Sequence, residues 1–416
     1  MPVSDPFDPW SDVPGPDETN VVPFERPAWV DEVPPLGDPI PAAKPIKATP
    51  FTWRDEADIP PRRWLYGRHL LRKFTSFDIS GGGVGKSSLK VGEALAMAAN
   101  RPIYSKDIYE GPLRVWLFNL EDPRDELERR VHATAKRFQI APDDLGDRFF
   151  MDSGRDQTCV IADETASGAH ILRPVVESII AELKARRIDV LIIDPFVSSH
   201  RLSENDNMLM DMVAKEWGRI ADVCNCSINL VHHIRKEGGQ EATAESSRGA
   251  KAITDAARSV MVYNRMTKDE AERAGIPPDE APFYFRVANG KANLAPMEKA
   301  DWYRMNNVDL ANGDKVGVAC RWEWPDLFAG ISLSKTKEVQ RRVAEGKWRL
   351  DPRAENWVGN VISTVIEIDP TEEGGRKRLG SIVKQWIATD VLRVVEEQAE
   401  NRHVRKFVEV GTWIAE

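Results

Sequence analysis

Ser80-Gly81-Gly82-Gly83-Val84-Gly85-Lys86-Ser87-Ser88 follows an apolar run ending in Phe77-Asp78-Ile79 and leads into Leu89-Lys90-Val91-Gly92-Glu93-Ala94-Leu95-Ala96-Met97-Ala98, which reads as a helix. Glycines let successive backbone N–H groups converge on an anion with no side chain in the way. The helix that follows points the positive end of its dipole at the same place. The spacing is G-x-x-x-x-G-K-[ST] except at its first position, where Ser80, another small residue, stands for glycine. Read as a phosphate cradle, the stretch assigns Lys86 to the β- and γ-phosphates and the Ser87 hydroxyl to Mg²⁺. The plainer reading is a Gly-rich turn that happens to carry a lysine. The order of strand, glycines, Gly-Lys-Ser and amphipathic helix favours the cradle, and with it ATP as the ligand class.

The chain around this loop has 416 residues, enough for two domains or one large domain with additions. Its net charge of -9 argues against a wholesale basic coat for nucleic acid but leaves room for a local basic face. Cys159, Cys224, Cys226 and Cys320 form no C-x-x-C pair and have no histidine at zinc-finger spacing, so they read as small buried hydrophobes. The first residues are rich in Pro and Asp with no apolar signal region. No stretch approaches the roughly 18 apolar residues of a spanning helix. A soluble, cytoplasmic protein without membrane contact is expected.

Residues 1–50 are dense in proline and acid, with Trp10, Phe24 and Trp29 isolated among them. Such a stretch buries too little apolar area to offset its ordering entropy, so a disordered tail is expected, with a docking peptide as the alternative. Residues 51–330 read as one nucleotide-binding domain, entered through Ile59-Pro60-Pro61-Arg62-Arg63-Trp64. Arg63 or Trp64 is a candidate to stack on adenine, although a tryptophan packed at a domain edge is the commoner case. Strand-like and helix-like segments then alternate as in a mostly parallel sheet: strand Leu113–Leu120, helix Arg124–Arg137, strand Arg148–Met151, helix His170–Arg186, strand Ile188–Asp194, helix Met208–Asn225, strand Cys226–His233. Ser259–Tyr263 and Phe283–Val287 read as further strands, and Arg321-Trp322-Glu323-Trp324 closes the region. Ligands of such sheets sit in the crevice at the carboxyl ends of the strands, where Glu121, Asp194 and His233 all fall.

Each of those residues has a chemical role open to it. Asp194, after four apolar residues, suits a carboxylate that holds the Mg²⁺ shell opposite Ser87; alone, a strand-terminal Asp often just caps a turn. Pro195 follows it, so the acid pair found there in many ATPases is absent and the water-activating base is sought elsewhere. Glu121 is the candidate, with Asp122 its rival. His233, of the pair His232-His233, is placed to report loss of the γ-phosphate, or else simply caps its strand. Gly238 to Ser247 has no apolar period and reads as a mobile loop, either a grip for DNA or an idle surface.

Gly81 to Ser88, Asn119-Leu120-Glu121-Asp122, Leu191-Ile192-Ile193-Asp194-Pro195, His232-His233-Ile234-Arg235-Lys236 and Ser247 to Arg258 together resemble the RepA-type AAA ATPases of plasmids and phages. These are grouped with the DnaB-like hexameric helicases on the RecA fold. The resemblance spans about Thr52 to Trp324. It implies an α/β fold with a RecA-like P-loop core and a mostly parallel central sheet. It further implies a homo-oligomeric ring hexamer with ATP between neighbouring subunits, Mg²⁺ as cofactor, single-stranded DNA as the track, and replication proteins as partners. By matching position, Glu121 falls on the family's catalytic glutamate, Asp194 on its metal-associated aspartate and His233 on its γ-phosphate sensor. The family also supplies a basic finger in trans, for which Arg248, Arg258 and Lys291 compete here. Lys291-Ala292-Asn293 departs from the Lys-x-Arg pair usual in the DnaB-like pattern.

Residues 331–416 repeat none of this. Three helices, Ser334–Gly346, Asn356–Ile366 and Arg376–Thr389, precede a hairpin of Val391–Glu397 and His403–Val410, the order of a winged helix. In the third helix Leu379, Ile382, Val383, Trp386 and Ile387 form one apolar stripe and leave Lys377, Arg378, Ser381, Lys384 and Gln385 opposite. Lys377, Arg378 and Lys384 are therefore DNA-binding candidates, with protein docking as the rival use. The chain reads as an ATP-driven DNA motor, a replicative helicase of a phage, plasmid or integrated element. The alternatives are a DNA-binding regulatory ATPase that unwinds nothing and an ATP-switched protein adaptor.

Overall fold

In the computed structural model the described residues are 46–166, 168–234, 241–243, 250–296, 299–324, 328, 330–398 and 404–414. The chain divides into two compact units, Met1–Pro60 and Pro61–Glu416. In the first, the described residues carry a short 3-10 turn at Glu56–Asp58, capped by the Asp55 carboxylate, which accepts from the Ala57 N–H at 2.9 Å. Most of the expected tail, residues 1–45, lies outside the described residues.

The second unit begins with a small ribbon, β1 (Trp64–Tyr66) and β2 (Leu70–Leu71), then β3 (Thr75–Ser80) and α1 (Lys86–Ala99) on either side of the glycine loop. There follow β4 (Val115–Asn119), α2 (Arg124–Phe138), α3 (Pro142–Leu145), β5 (Phe149–Ser153), the hairpin β6 (Ala162–Thr165) and β7 (Gly168–Ile171), α4 (Arg173–Ala185), β8 (Val190–Asp194), α5 (Asn207–Cys224) and β9 (Ser227–His233). Next come α6 (Ala250–Ala256), β10 (Ser259–Arg265), α7 (Lys268–Ala274), β11 (Tyr284–Ala292), β12 (Asp301–Asp309) and β13 (Lys315–Trp322). The expected helix His170–Arg186 is corrected at its start: His170 lies in β7, and the helix begins only at Arg173, with Pro174 in its first turn.

Among the described residues, nine strands form one sheet in the order β13-β12-β11-β10-β3-β9-β8-β4-β5. From β10 to β5 every pairing is parallel; β11, β12 and β13 extend the sheet in antiparallel fashion. The inner parallel strands β3, β4, β8 and β9 are buried along almost all of their length, as expected for a sheet with helices on both faces, and the edge strand β5 is half-buried. One apolar interior gathers Phe77, Phe118, Ile193, Leu230 and Trp217 under α4 and α5, and a second gathers Val91, Leu95, Leu117, Ile192 and Val231 under α1. The loop strand β3 is thus central, flanked by β9 and β10, with β8 and β4 beyond β9.

The C-terminal part carries α8 (Leu333–Ala344), β14 (Trp348–Arg349), α9 (Val358–Ile366), α10 (Glu373–Ala388), β15 (Leu392–Gln398) and β16 (Val404–Val410), with the sheet order β14-β16-β15. Leu379, Ile382, Val383 and Trp386 of α10 are buried against Val339, Val343, Trp357, Ile362 and Val408, an interior separate from those of the large sheet. Among the described residues no helix is long and apolar enough to cross a membrane.

Candidate nucleotide site

The turn after β3, the end of β9 and the turn after β4 meet at one cavity of about 760 Å³, with β8 between β9 and β4 in the sheet. Gly83 to Ser88, Glu121, Asp122 and His233 line it. The loop's conformation explains its glycines. Gly83 and Gly85 have φ of 69° and 113°, and a Cβ at Gly85 would lie 3.0 Å from Phe285 Cε1 and 3.1 Å from Met305 Sδ. Any other residue at 85 would meet both strain and collision. Gly81 is buried and Gly82 exposed, and Val84 is tucked inside. Ser80 is buried, donates to Gly81 O at 2.5 Å and accepts from Lys86 Nζ.

Lys86 is almost fully buried, with Nζ donating to Ser80 O at 3.2 Å and meeting His233 Nδ1 at 3.2 Å. Burial pulls its ammonium down to about 8, against the pull of Asp194, Asp78 and Glu121. A phosphate arriving here would offer charged oxygens in exchange for carbonyls. Asp194 ends β8 and is buried; burial pushes its carboxyl up to about 6, opposed by a hydrogen bond from Ser87 and by the Lys86 charge. His233 Nε2 stands 4.0 Å from Asp194 Oδ1. Burial, then the Lys86 charge, lowers His233 to about 4, so the ring is neutral at pH 7. With Lys86 donating, Nδ1 is the acceptor and Nε2 carries the proton towards Asp194. The preceding His232 is buried on the other side of its strand, near Phe196 and 3.7 Å from Glu204.

The turn after β4 is held by Asn119, whose Oδ1 accepts from the N–H groups of Glu121 at 3.0 Å and Asp122 at 2.7 Å. Arg155 donates to Glu121 O at 2.8 Å. Asp122 is engaged by Arg130 at 2.7 Å, whereas Glu121 is exposed along the cavity wall. Met305, Asp314, Lys315, Val316 and Gly317 of β12, β13 and their turn form another wall of the cavity, braced by Arg129 on Asp314 at 2.8 Å. Ser88 is tied to that wall, donating to Gly317 O and accepting from Ala319 N, both at 3.0 Å. Trp64 and Arg63 do not line the cavity: Trp64 pairs with Leu71 in the ribbon and Arg63 with Glu110 at 2.8 Å.

Directly beneath the loop lies a buried charged cluster. The Lys90 ammonium contacts the carboxylates of Asp78 and Glu93, the latter at 2.5 Å, and all three are buried. Tyr263 donates to Asp78 Oδ2 at 2.5 Å and Asn229 to Asp78 Oδ1 at 3.0 Å. Burial opposes the Lys90 charge, yet the two carboxylates hold its pKa above the ordinary lysine value. Burial likewise raises Asp78, but Lys90 and His69 bring it below the usual carboxylate range.

The remaining basic candidates lie elsewhere. Arg258 precedes β10, its N–H on Thr75 O and its guanidinium over the Phe74 ring. Lys291 donates to Thr254 O at 2.6 Å and Asp255 O at 3.2 Å at the end of α6, and pairs in register with Val260. Arg258 therefore sits where β3 begins, about 17 Å of strand from the loop, and Lys291, level with Phe77 through Val260, about 10 Å from it with its ammonium turned to the end of α6. Arg248 lies outside the described residues, as do most of Gly238 to Ser247; of these, Ala242 exchanges two hydrogen bonds with the Asn264 amide. On α10, Lys377 and Arg378 are half-buried, and Lys384 is exposed and paired with Glu272 of α7 at 3.0 Å. The cavity wall from β12 and β13, and the residues Arg129 and Arg265, had no local signal, since their partners lie more than 180 positions away in sequence; Asn119 stood within a quoted motif, but its hold on the turn did not show there.

Residues 42–239 match the family described as an AAA domain, a span that includes the glycine loop, Glu121, Asp194 and His233. Among solved structures, a RadB recombinase is similar over 57% of this chain and 89% of its own, at 11% identity and a TM-score of 0.37.

Proposed function

We propose that this AAA-type ATPase domain drives a DNA motor of the RepA and DnaB type, on a RecA-like core, and serves as the replicative helicase of a phage, plasmid or integrated element. The observation that carries the reading is the convergence of Lys86, Ser87, Glu121 and His233 on one cavity, with Asp194 buried directly behind them, hydrogen-bonded to Ser87 and 4.0 Å from His233. The donor set fits magnesium nucleotide. Among the described residues no cluster of three or more His, Cys, Asp or Glu is placed to hold a metal, so Mg²⁺ would rest on Ser87, Asp194 and the phosphates themselves. When bound, the ion supplies charge neutralisation at the phosphates. Lys86 then meets the β- and γ-phosphates, and the N–H groups of Gly81 to Ser88 surround them. Glu121 accepts the proton of the attacking water, and Asn119 keeps its backbone in place. His233, touching Lys86 and close to Asp194, is positioned to sense the γ-phosphate and pass its loss into the chain beyond β9.

The finger that completes the site belongs to the next subunit of a hexameric ring. Arg258, Lys291 and Arg248 are its candidates, and the first stands at the end of the sheet remote from its own loop, as a residue acting in trans requires. Residues 1–50 form a separate tail and 51–330 the motor. Residues 331–416 form a winged-helix-like domain whose α10 offers Lys377, Arg378 and Lys384 to DNA. The test is strand displacement on a forked duplex with ATP and Mg²⁺. The chain is expected to unwind it and to hydrolyse ATP faster with single-stranded DNA. Lys86→Ala is expected to abolish both, and Glu121→Gln to lower turnover by about 10²–10⁴ while still binding nucleotide. Full turnover by Lys86→Ala would remove the cradle assignment. Turnover and DNA binding without unwinding would leave the regulatory ATPase as the better reading.

A further inference from the structure

The last residue of β10, Arg265, is exposed, and its Nη2 donates to Gly83 O at 2.5 Å, across 182 positions of sequence. Its register partner on β11 is Phe285, the ring that crowds Gly85. One rung of the sheet therefore touches the loop at both of its left-handed glycines. The peptide between Gly83 and Val84 is planar, so its carbonyl and its N–H point in opposite directions. Arg265 does not line the cavity, so a Gly83 carbonyl drawn to its guanidinium is drawn away from the cavity, and the Val84 N–H, on the opposite edge of the same peptide, is left free of that bond at a stretch that lines it.

A glycine-rich loop has no side chains to choose between the two orientations of that peptide. Turned over, it would present an oxygen to an anion in place of a donor. We propose that Arg265 is a positioning residue for the phosphate loop, fixing the Gly83 peptide so that its donor faces the nucleotide's phosphates. The inference rests on the reading of this cavity as a nucleotide site. Arg265 acts through the loop and touches no reacting atom, so its effect falls on binding. The bond is charge-assisted and is made before nucleotide arrives, which removes an ordering cost from binding.

The test compares the full-length protein with Arg265→Ala, Arg265→Lys and Lys86→Ala, reading the Kd of a fluorescent ATP analogue with Mg²⁺ and the KM and kcat of turnover. Arg265→Ala is expected to melt with the wild type, to bind about tenfold more weakly and to raise KM by the same factor with kcat unchanged. Arg265→Lys, which keeps a charged donor, is expected to recover most of the affinity. Wild-type affinity in Arg265→Ala would overturn the proposal, as would a fall in kcat at constant KM, or a lysine variant no better than alanine. A wild type that binds no nucleotide would instead sink the cavity assignment itself. Loss of binding in Lys86→Ala alone would sink only the role of Arg265.

Discussion

The buried cluster under the phosphate loop and the C-terminal interior are built on opposite principles. Beneath the phosphate loop the protein buries an ammonium and two carboxylates within bonding distance of one another. The C-terminal interior is apolar except for a few neutral groups, chief among them Gln340. That amide is satisfied by backbone alone, donating to Val391 O and Thr412 O at 2.9 and 2.8 Å and accepting from Ile414 N at 3.1 Å. Burying charge is a poor way to gain stability, since apolar side chains of the same volume often do as well. What a buried ion pair offers is a penalty for every arrangement but one. The C-terminal bundle shows that this chain can build an interior without it, and the charges sit where β3 and α1 must hold the two ends of a flexible loop.

Lys90→Met puts that contrast under the greatest strain. It leaves Asp78 and Glu93 buried without their cation and should cost about 3–5 kcal/mol in denaturant unfolding. Gln340→Met strands three backbone groups, costs about 1–3 kcal/mol and should leave ATP turnover intact. A Lys90→Met protein as stable as the Gln340 variant would erase the distinction between the two.

Nucleotide affinity should be sensitive to pH on both sides of neutrality. Above about 8, Lys86 loses the proton that meets phosphate; below about 6, Asp194 gains one and no longer serves magnesium. Affinity for Mg²⁺-ATP should therefore fall by up to about tenfold per pH unit on each limb, as titration calorimetry would show. Asp194 acts in the reverse sense on the empty fold. Its folded pKa stands above its ordinary 3.8, so its contribution to stability grows as pH falls from about 6 towards that value. A flat affinity profile from pH 5 to 9 would separate these two groups from the phosphates. The smallest effect belongs to Lys384→Ala. The pair with Glu272 is exposed on both sides, and its loss should change melting by the equivalent of less than about 1 kcal/mol.

Much of this was legible in the sequence because it is local. The glycine loop, the apolar run before Asp194 and the stripe of Leu379, Ile382, Val383 and Trp386 each declare themselves within a dozen residues, and α2, α5 and α9 begin and end within a few positions of expectation. What escaped is what tertiary partners decide. In β12, Asp301-Trp302-Tyr303-Arg304-Met305-Asn306-Asn307-Val308-Asp309 has little of the alternation of a half-buried strand, and it forms because β11 and β13 pair with it. The hairpin β6 and β7 is short and polar, and the helix expected from His170 runs over its last two residues, His170 and Ile171. Arg265 has nothing in its neighbourhood to distinguish it from other surface arginines; its meaning comes from a loop 182 residues earlier.

The placement of Arg258 at one end of the sheet and the loop at the other gives the molecule polarity. Any contact that joins those two ends between copies is heterologous, because it uses different surfaces on the two partners. An open row of such copies always leaves one loop without a neighbour's cation and one set of cations without a loop. If the cation of the proposed site is supplied in trans by Arg258 or Lys291, only a row that closes on itself would satisfy every copy, and closure and full catalytic occupancy would be the same event.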